Sequence, residues 1–168
     1  MAVKNFYPAL PVIPHKRTSC KMEDVVRYAN SLTSYTTEVK RMAYCMFRNE
    51  SANGDKGVNG NYAGIQADCG LWSGLKGAVA TSVRIDSGNK ERRFICFDEK
   101  TGVQDTFNFL CFKVRQRGMF IGAVDVPNIN ALVSAYLEKW VGRTLKVPSQ
   151  AELRNWTSLY NSAAKLIP

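Results

Sequence analysis

FRNESANGDKGVNGNYAGIQADCGLW, from Phe47 to Trp72, joins the end of an apolar-periodic segment to a run of glycines, asparagines and carboxylates. Seven glycines fall between Gly54 and Gly77. Ordering such a run costs conformational entropy, so a chain keeps it as a surface loop or where backbone must come close to something else. Upstream, Val39, Met42, Ala43, Met46 and Phe47 recur at helical spacing, which predicts a helix over about Thr36 to Asn49. One further step along the 39, 43, 46 face lands on Glu50. The expectation is a carboxylate on the buried side, at a helix C-terminus. Desolvation and the negative end of the helix dipole both oppose its ionised form there, an environment suited to a proton-donating acid.

Outward from this stretch, the predicted elements are mostly helical. Met22, Val25, Val26, Ala29 and Leu32 mark a first helix over about Cys20 to Leu32. Little regular structure is expected from Ser51 to Gly77. Val79, Thr81, Val83 and Ile85 then alternate, Ser87-Gly88-Asn89 signals a turn, and Arg93 to Phe97 runs back, which reads as a β-hairpin. Thr101 and Gln104 have the spacing of a capping box before a third helix carrying Val103, Phe107, Leu110, Cys111 and Val114. Asp125 and Pro127 are expected to start a fourth, with Ile129, Leu132, Val133, Tyr136, Leu137 and Trp140 as its core stripe. Pro148, Ser149 and Glu152 start a fifth, with Leu153, Trp156, Leu159, Tyr160 and Ala163. The fold class expected is α+β, mainly α, with two lobes, the smaller formed by the hairpin. Residues 1–17 bear three prolines and read as an extended arm that either packs across the domain or stays mobile. Residues 18–168 form one domain.

A net charge of +9 predicts attraction to a polyanion: nucleic acid, an anionic membrane or an acidic cell wall. Five cysteines without CxxC spacing and a single histidine, His15, argue against zinc and against a secreted disulfide framework. Cys45, Cys96 and Cys111 lie in apolar periodic segments and read as buried small hydrophobes. The N-terminal stretch has neither the apolar core of a signal peptide nor the length of a membrane span. No helix-turn-helix, zinc or RNP-like pattern accompanies Arg92, Arg93, Lys113, Arg115 and Arg117, so no nucleic-acid partner is expected.

Three carboxylates border the central loop: Glu50, Asp55 and Asp68. Glycosidic cleavage needs one raised-pKa acid, and in hydrolases a second carboxylate as base or nucleophile. Glu50-Ser51 at a helix end, followed by Asn61-Tyr62-Ala63-Gly64-Ile65-Gln66, resembles the catalytic helix and the G-[LI]-x-Q-like segment of the lysozyme-like superfamily. The run Gly54-Asp55-Lys56-Gly57 through Ala67-Asp68 looks most like goose-type lysozymes, in which two aspartates flank the same turn. The part downstream resembles glucosaminidases of the flagellar muramidase type.

The resemblance covers about Val39 to Leu110. It implies a lysozyme-like fold and cleavage of β-1,4 bonds between amino sugars in peptidoglycan, with Glu50 as general acid and Asp68 or Asp55 holding the attacking water. Asn61, Tyr62 and Gln66 would line the sugar subsites, with Trp72 and Phe94 as aromatic platforms. No cofactor and no metal are implied. Where the glucosaminidases carry Thr-x-Glu, this chain reads Thr81-Ser82-Val83, which leaves that scheme without its second carboxylate. A lytic transglycosylase with the same acid, and an inactive peptidoglycan-binding protein, are the alternatives. A basic wall enzyme without a signal peptide suits a phage endolysin or a virion-associated lysin. It would be made in the bacterial cytoplasm as a monomer, and would meet virion proteins only if carried in the particle.

Overall fold

The computed structural model describes residues 3–168. These residues fold into five α-helices and two small antiparallel sheets, a mixed α+β arrangement that is mainly helical. The elements run β1 (Arg17–Thr18), α1 (Met22–Ser31), α2 (Thr37–Glu50), β2 (Gly57–Val58), β3 (Ala78–Ile85), β4 (Glu91–Phe97), α3 (Gly102–Arg117), α4 (Ile129–Tyr136) and α5 (Gln150–Leu166). A single π-helical turn, Leu137–Val141, extends α4. No helix among the described residues is long and apolar enough to cross a membrane.

Helix α2 is the centre of the core. The Thr36 side chain accepts a hydrogen bond from the Val39 amide and starts it. Residues Met42 to Phe47 are then buried on every side, because α1, α3 and α5 all pack on this helix. A helix apolar all round belongs in the interior. Lys40, also buried, escapes an unpaired charge in apolar surroundings by donating to the Leu32 carbonyl at 3.0 Å. Cys45, Cys96 and Cys111 are buried free thiols. Burial pushes the Cys45 thiol up to about 12, so it acts as a small hydrophobe.

The arm packs across the domain. Ile13 donates to the Thr81 carbonyl and the Thr81 amide to Pro11, each at 2.9 Å, which lays the arm along the free edge of β3. Further on, β1 pairs with β2, register Arg17↔Val58 and Thr18↔Gly57. The edge of β4 is covered too: Ile95 donates to Ile65 and Phe97 to Asn59, and Ala67 donates to Arg93. The segment expected to be irregular therefore serves as a rail along the hairpin, and both sheet edges are closed to further pairing. Gly54 permits this arrangement. Its φ is +88°, and a Cβ there would stand 2.3 Å from the Cys20 carbonyl oxygen, which accepts no such approach. The same contact, with Cys20 N–H donating to Gly54, holds Cys20 out of α1, which starts at Met22.

Two predicted helix starts are corrected. Thr101 does not form a capping box with Gln104: its hydroxyl donates instead to the Asp105 carboxylate at 2.7 Å, and the Gln104 side-chain oxygen is buried without a partner. Helix α4 starts at Ile129, with Asn128 accepting from the Ala131 amide, so Asp125 and Pro127 belong to the preceding turn. The Ser149–Glu152 capping box forms as the sequence predicts.

Candidate functional site

A cavity of about 580 Å³ opens between the end of α2, the rail, the hairpin, α3 and the π-helical turn. A smaller one of about 150 Å³ adjoins it. Glu50, Gly64, Arg84 and Phe94 line both, so the Glu50 carboxyl lies where the two meet. All five residues expected to line sugar subsites are at this cleft. Gln66 and Trp72 border the larger part, Asn61 and Tyr62 the smaller, and Phe94 both.

Glu50 is not on the buried side of α2 as the helical face predicts. Val39, Ala43 and Met46 are buried, but the last step of the helix carries Glu50 out into the cleft, where its side chain is open to ligand. Protein nevertheless crowds its carboxyl. Burial pushes the Glu50 pKa above the ordinary glutamate range, and hydrogen bonds with Tyr136 and Trp140 pull it partly back. Tyr136 O–H donates to Glu50 Oε1. Behind it, Asn49 Nδ2 donates to the Tyr136 hydroxyl at 3.4 Å, and Asn155 Nδ2 to Asn49 Oδ1 at 3.2 Å. This chain of side chains ties the Glu50 carboxyl to α4 and α5.

The sequence reading places Tyr136 and Trp140 in a core stripe, and they do pack in and against the core; what it misses is that both also serve the cleft. Tyr136 is buried with its hydroxyl on Glu50, and Trp140 lines the cavity. The wider π turn after Tyr136 interrupts the α-helical stripe at this point, and such turns recur at functional sites. The available signal was the polar end that each of these two aromatics must satisfy.

Asp68 does not line the cleft. Its carboxylate, 7% exposed, accepts from Arg92 Nε at 3.0 Å, Arg92 Nη2 at 3.3 Å and the Arg93 amide at 3.1 Å. Burial would raise its pKa, but these donors outweigh burial and hold it below the ordinary aspartate range. It fastens the rail to β4 and has no free oxygen to aim at a water in the cleft. Asp55 is exposed on the glycine turn and also lies outside both cavities. Neither expected second carboxylate is therefore at the site. The carboxylate that joins Glu50 there is Asp86, at the hairpin turn, where Oδ1 accepts from the Gly88 and Lys90 amides at 2.8 and 3.0 Å.

Asp68→Asn replaces the anion under Arg92 with a neutral amide, which we expect to cost about 2 kcal/mol at neutral pH. A carboxylate with a depressed folded pKa stabilises above its unfolded pKa, and that stability disappears as pH falls through the folded value. The gap between wild-type and variant melting temperatures should therefore close in acid. A gap that persists unchanged into strong acid would rule out the charge as its source.

Several aromatic residues have their polar atoms already in use. The Trp72 indole N–H donates to the Gln66 carbonyl, and Lys113 Nζ stands 4.8 Å from the Trp72 ring centroid. Tyr62 stacks on Phe47 at 5.2 Å. Tyr62 is therefore buried and presents little of its ring to the cleft, whereas Trp72 is only partly buried. No group of histidines, cysteines and carboxylates among the described residues could hold a metal ion.

No family model, no curated protein and no solved structure matches this chain.

Proposed function

We propose that the protein cleaves β-1,4 bonds between amino sugars in peptidoglycan, with Glu50 as the proton donor. The observation that carries this reading is the position of Glu50: one carboxyl, biased toward its protonated form, at the junction of two adjoining cavities. A strand lying through both would present a glycosidic oxygen to that carboxyl, with sugar on either side. The residues expected to line subsites are at the same cleft, and the larger cavity is within the usual size range of ligand sites.

In this mechanism Glu50 gives its proton to the bridging oxygen and the C1–O bond breaks, leaving an oxocarbenium-like centre and a glutamate anion. What captures C1 distinguishes two enzyme classes. A hydrolase positions water with a second carboxylate. A lytic transglycosylase uses the sugar's own 6-hydroxyl, whose proton returns to Glu50, giving an anhydro end and regenerating the acid. The engagement of Asp68 by Arg92 and Arg93, and the distance of Asp55 from the cleft, favour the transglycosylase. Its cycle needs only Glu50.

The test is a turbidity assay on purified walls followed by mass spectrometry of the soluble fragments. Clearing with anhydro ends, each lighter by one water than a reducing end, is the expected result. Reducing ends would return the protein to the hydrolases and point to Asp86 as the base. Walls that bind the protein without clearing would make it a peptidoglycan-binding protein.

Tyr136→Phe separates the proposed role of Glu50 from a merely structural one. The tyrosine hydrogen bond lowers the Glu50 pKa, so its loss should raise that pKa further. An acid works only while protonated, and the alkaline limb of kcat/KM should therefore move to higher pH. A variant that loses rate without any displacement of that limb would show that Tyr136 only packs.

A further inference from the structure

The hairpin carries a like-charge pair at the mouth of the cleft. Arg84 on β3 and Arg92 on β4 are register partners, so their side chains leave the sheet on the same face. Like charges directly opposite one another destabilise a β-ladder. Asp68 answers Arg92 from behind the cleft wall, but Arg84 enters no ion pair among the described residues. Its guanidinium lies over the Phe94 ring, 4.1 Å from the centroid, a contact that holds the group without neutralising its charge.

Arg117, at the end of α3, lines the same cavity. One of its N–H groups donates to the Lys139 carbonyl, which anchors it without neutralising it. Lys56 borders the adjoining part. Four cationic side chains thus line the cleft against two carboxylates, Glu50 and Asp86. Of these, Glu50 is the acid and Asp86 spends one oxygen on the amides of its own turn.

We infer that Arg84 and Arg117 receive carboxylate groups carried by the sugars, so that the substrate is an acidic glycan: a strand with carboxylate-bearing substituents on its sugars, as opposed to a neutral amino-sugar polymer. The inference rests on the glycosidase reading for the path of the strand. Guanidinium groups pair with carboxylates through two parallel hydrogen bonds, which fixes register along the strand as well as affinity. Arg84 lies at the junction of the two cavities, beside Glu50, so a carboxylate bound there sets which bond faces the acid.

The test uses Glu50→Gln protein and calorimetry on two preparations of soluble wall glycan, one with free carboxylates and one with them amidated. Acidic glycan should bind about tenfold more tightly, the effect of one charge-assisted hydrogen bond or a little more. Adding Arg84→Gln should weaken acidic glycan about tenfold more than amidated glycan, a coupling that a double-mutant cycle reads directly. Arg84→Lys should recover part of it. Equal binding of the two glycans, or equal losses on both, overturns the inference. Displacement of the acidic glycan by an equal concentration of oligothymidylate would also overturn it, in favour of a phosphate-bearing polymer.

Cleavage of both glycans by the wild type is scored separately. Discrimination in binding without cleavage of either would sink the glycosidase reading and leave the preference for acidic glycan standing. Cleavage of both without discrimination would do the reverse.

Discussion

Glu50→Gln should abolish wall clearing while leaving the fold intact. General acid catalysis contributes roughly 10²–10⁴-fold, and a carboxamide cannot donate a proton to a departing oxygen. Gln keeps the shape of the side chain and still accepts from Tyr136 at its carbonyl oxygen, so positioning survives and only the proton is lost. The rate should fall by about three orders of magnitude, with KM little changed.

The same variant should be more stable than the wild type at neutral pH. Burial raises the folded pKa of Glu50 above its unfolded value. A carboxyl of that kind stabilises fully below the unfolded pKa, and the stability is lost as pH rises through the folded one. Wild type therefore holds an unfavourable charge at neutral pH that Gln does not, and the two melting temperatures should converge in acid. Active sites commonly keep such a conflict at the expense of stability. A variant inactive but no more stable at neutral pH would mean that Glu50 is solvated in the free protein, which removes the basis for its proposed role. A variant that clears walls as well as wild type would move the acid elsewhere.

What the sequence made legible was the part governed by period and by local chemistry. The buried stripe of α2 and its end at Glu50 follow from spacing. The hairpin follows from alternation around Ser87-Gly88-Asn89, and the start of α5 from Ser149 and Glu152, whose partners are three residues apart. The less legible features depend on partners distant in the chain. Asp68 beside Cys69-Gly70 looks like either a turn former or a base. Nothing local reveals that Arg92, 24 residues on, occupies its oxygens. The edges of the hairpin are closed by backbone groups of the arm and the rail, and backbone hydrogen bonds leave no side-chain pattern to read. The π turn breaks helical periodicity by one residue, and Trp140, which packs against the core, also lines the cleft. The place of Glu50 at the end of α2 was thus readable, but its hydrogen-bond partners were not.

Asn61→Ala should produce the largest loss of stability of any substitution in the rail. Resemblance assigns Asn61 to a sugar subsite, and it does border the smaller cavity, but its amide is fully engaged by protein. Nδ2 donates to the Ile65 carbonyl at 3.0 Å and to Ile95 at 2.9 Å. Oδ1 accepts from the Ala63 and Ile65 amides at 3.2 and 3.1 Å. An amide side chain has two donors and one two-lone-pair acceptor, and all are used. Alanine would leave the Ala63 and Ile65 N–H groups and the Ile95 carbonyl without these partners, while the Ile65 carbonyl keeps only the Ile95 N–H, at a cost of about 3–5 kcal/mol. Denaturant unfolding should show a lower midpoint with an unchanged slope. Asn61→Asp tests the donors alone. Its carboxylate can still accept from Ala63 and Ile65, but it faces the Ile65 and Ile95 carbonyls with negative charge. It should therefore be as damaging as alanine at neutral pH and less so in acid, where one oxygen carries a proton and donates again. If both variants remain as stable as wild type and lose only affinity for glycan, Asn61 is a sugar ligand after all. The rail would then have to be held by the Ala67–Arg93 and Ile95–Ile65 backbone bonds alone.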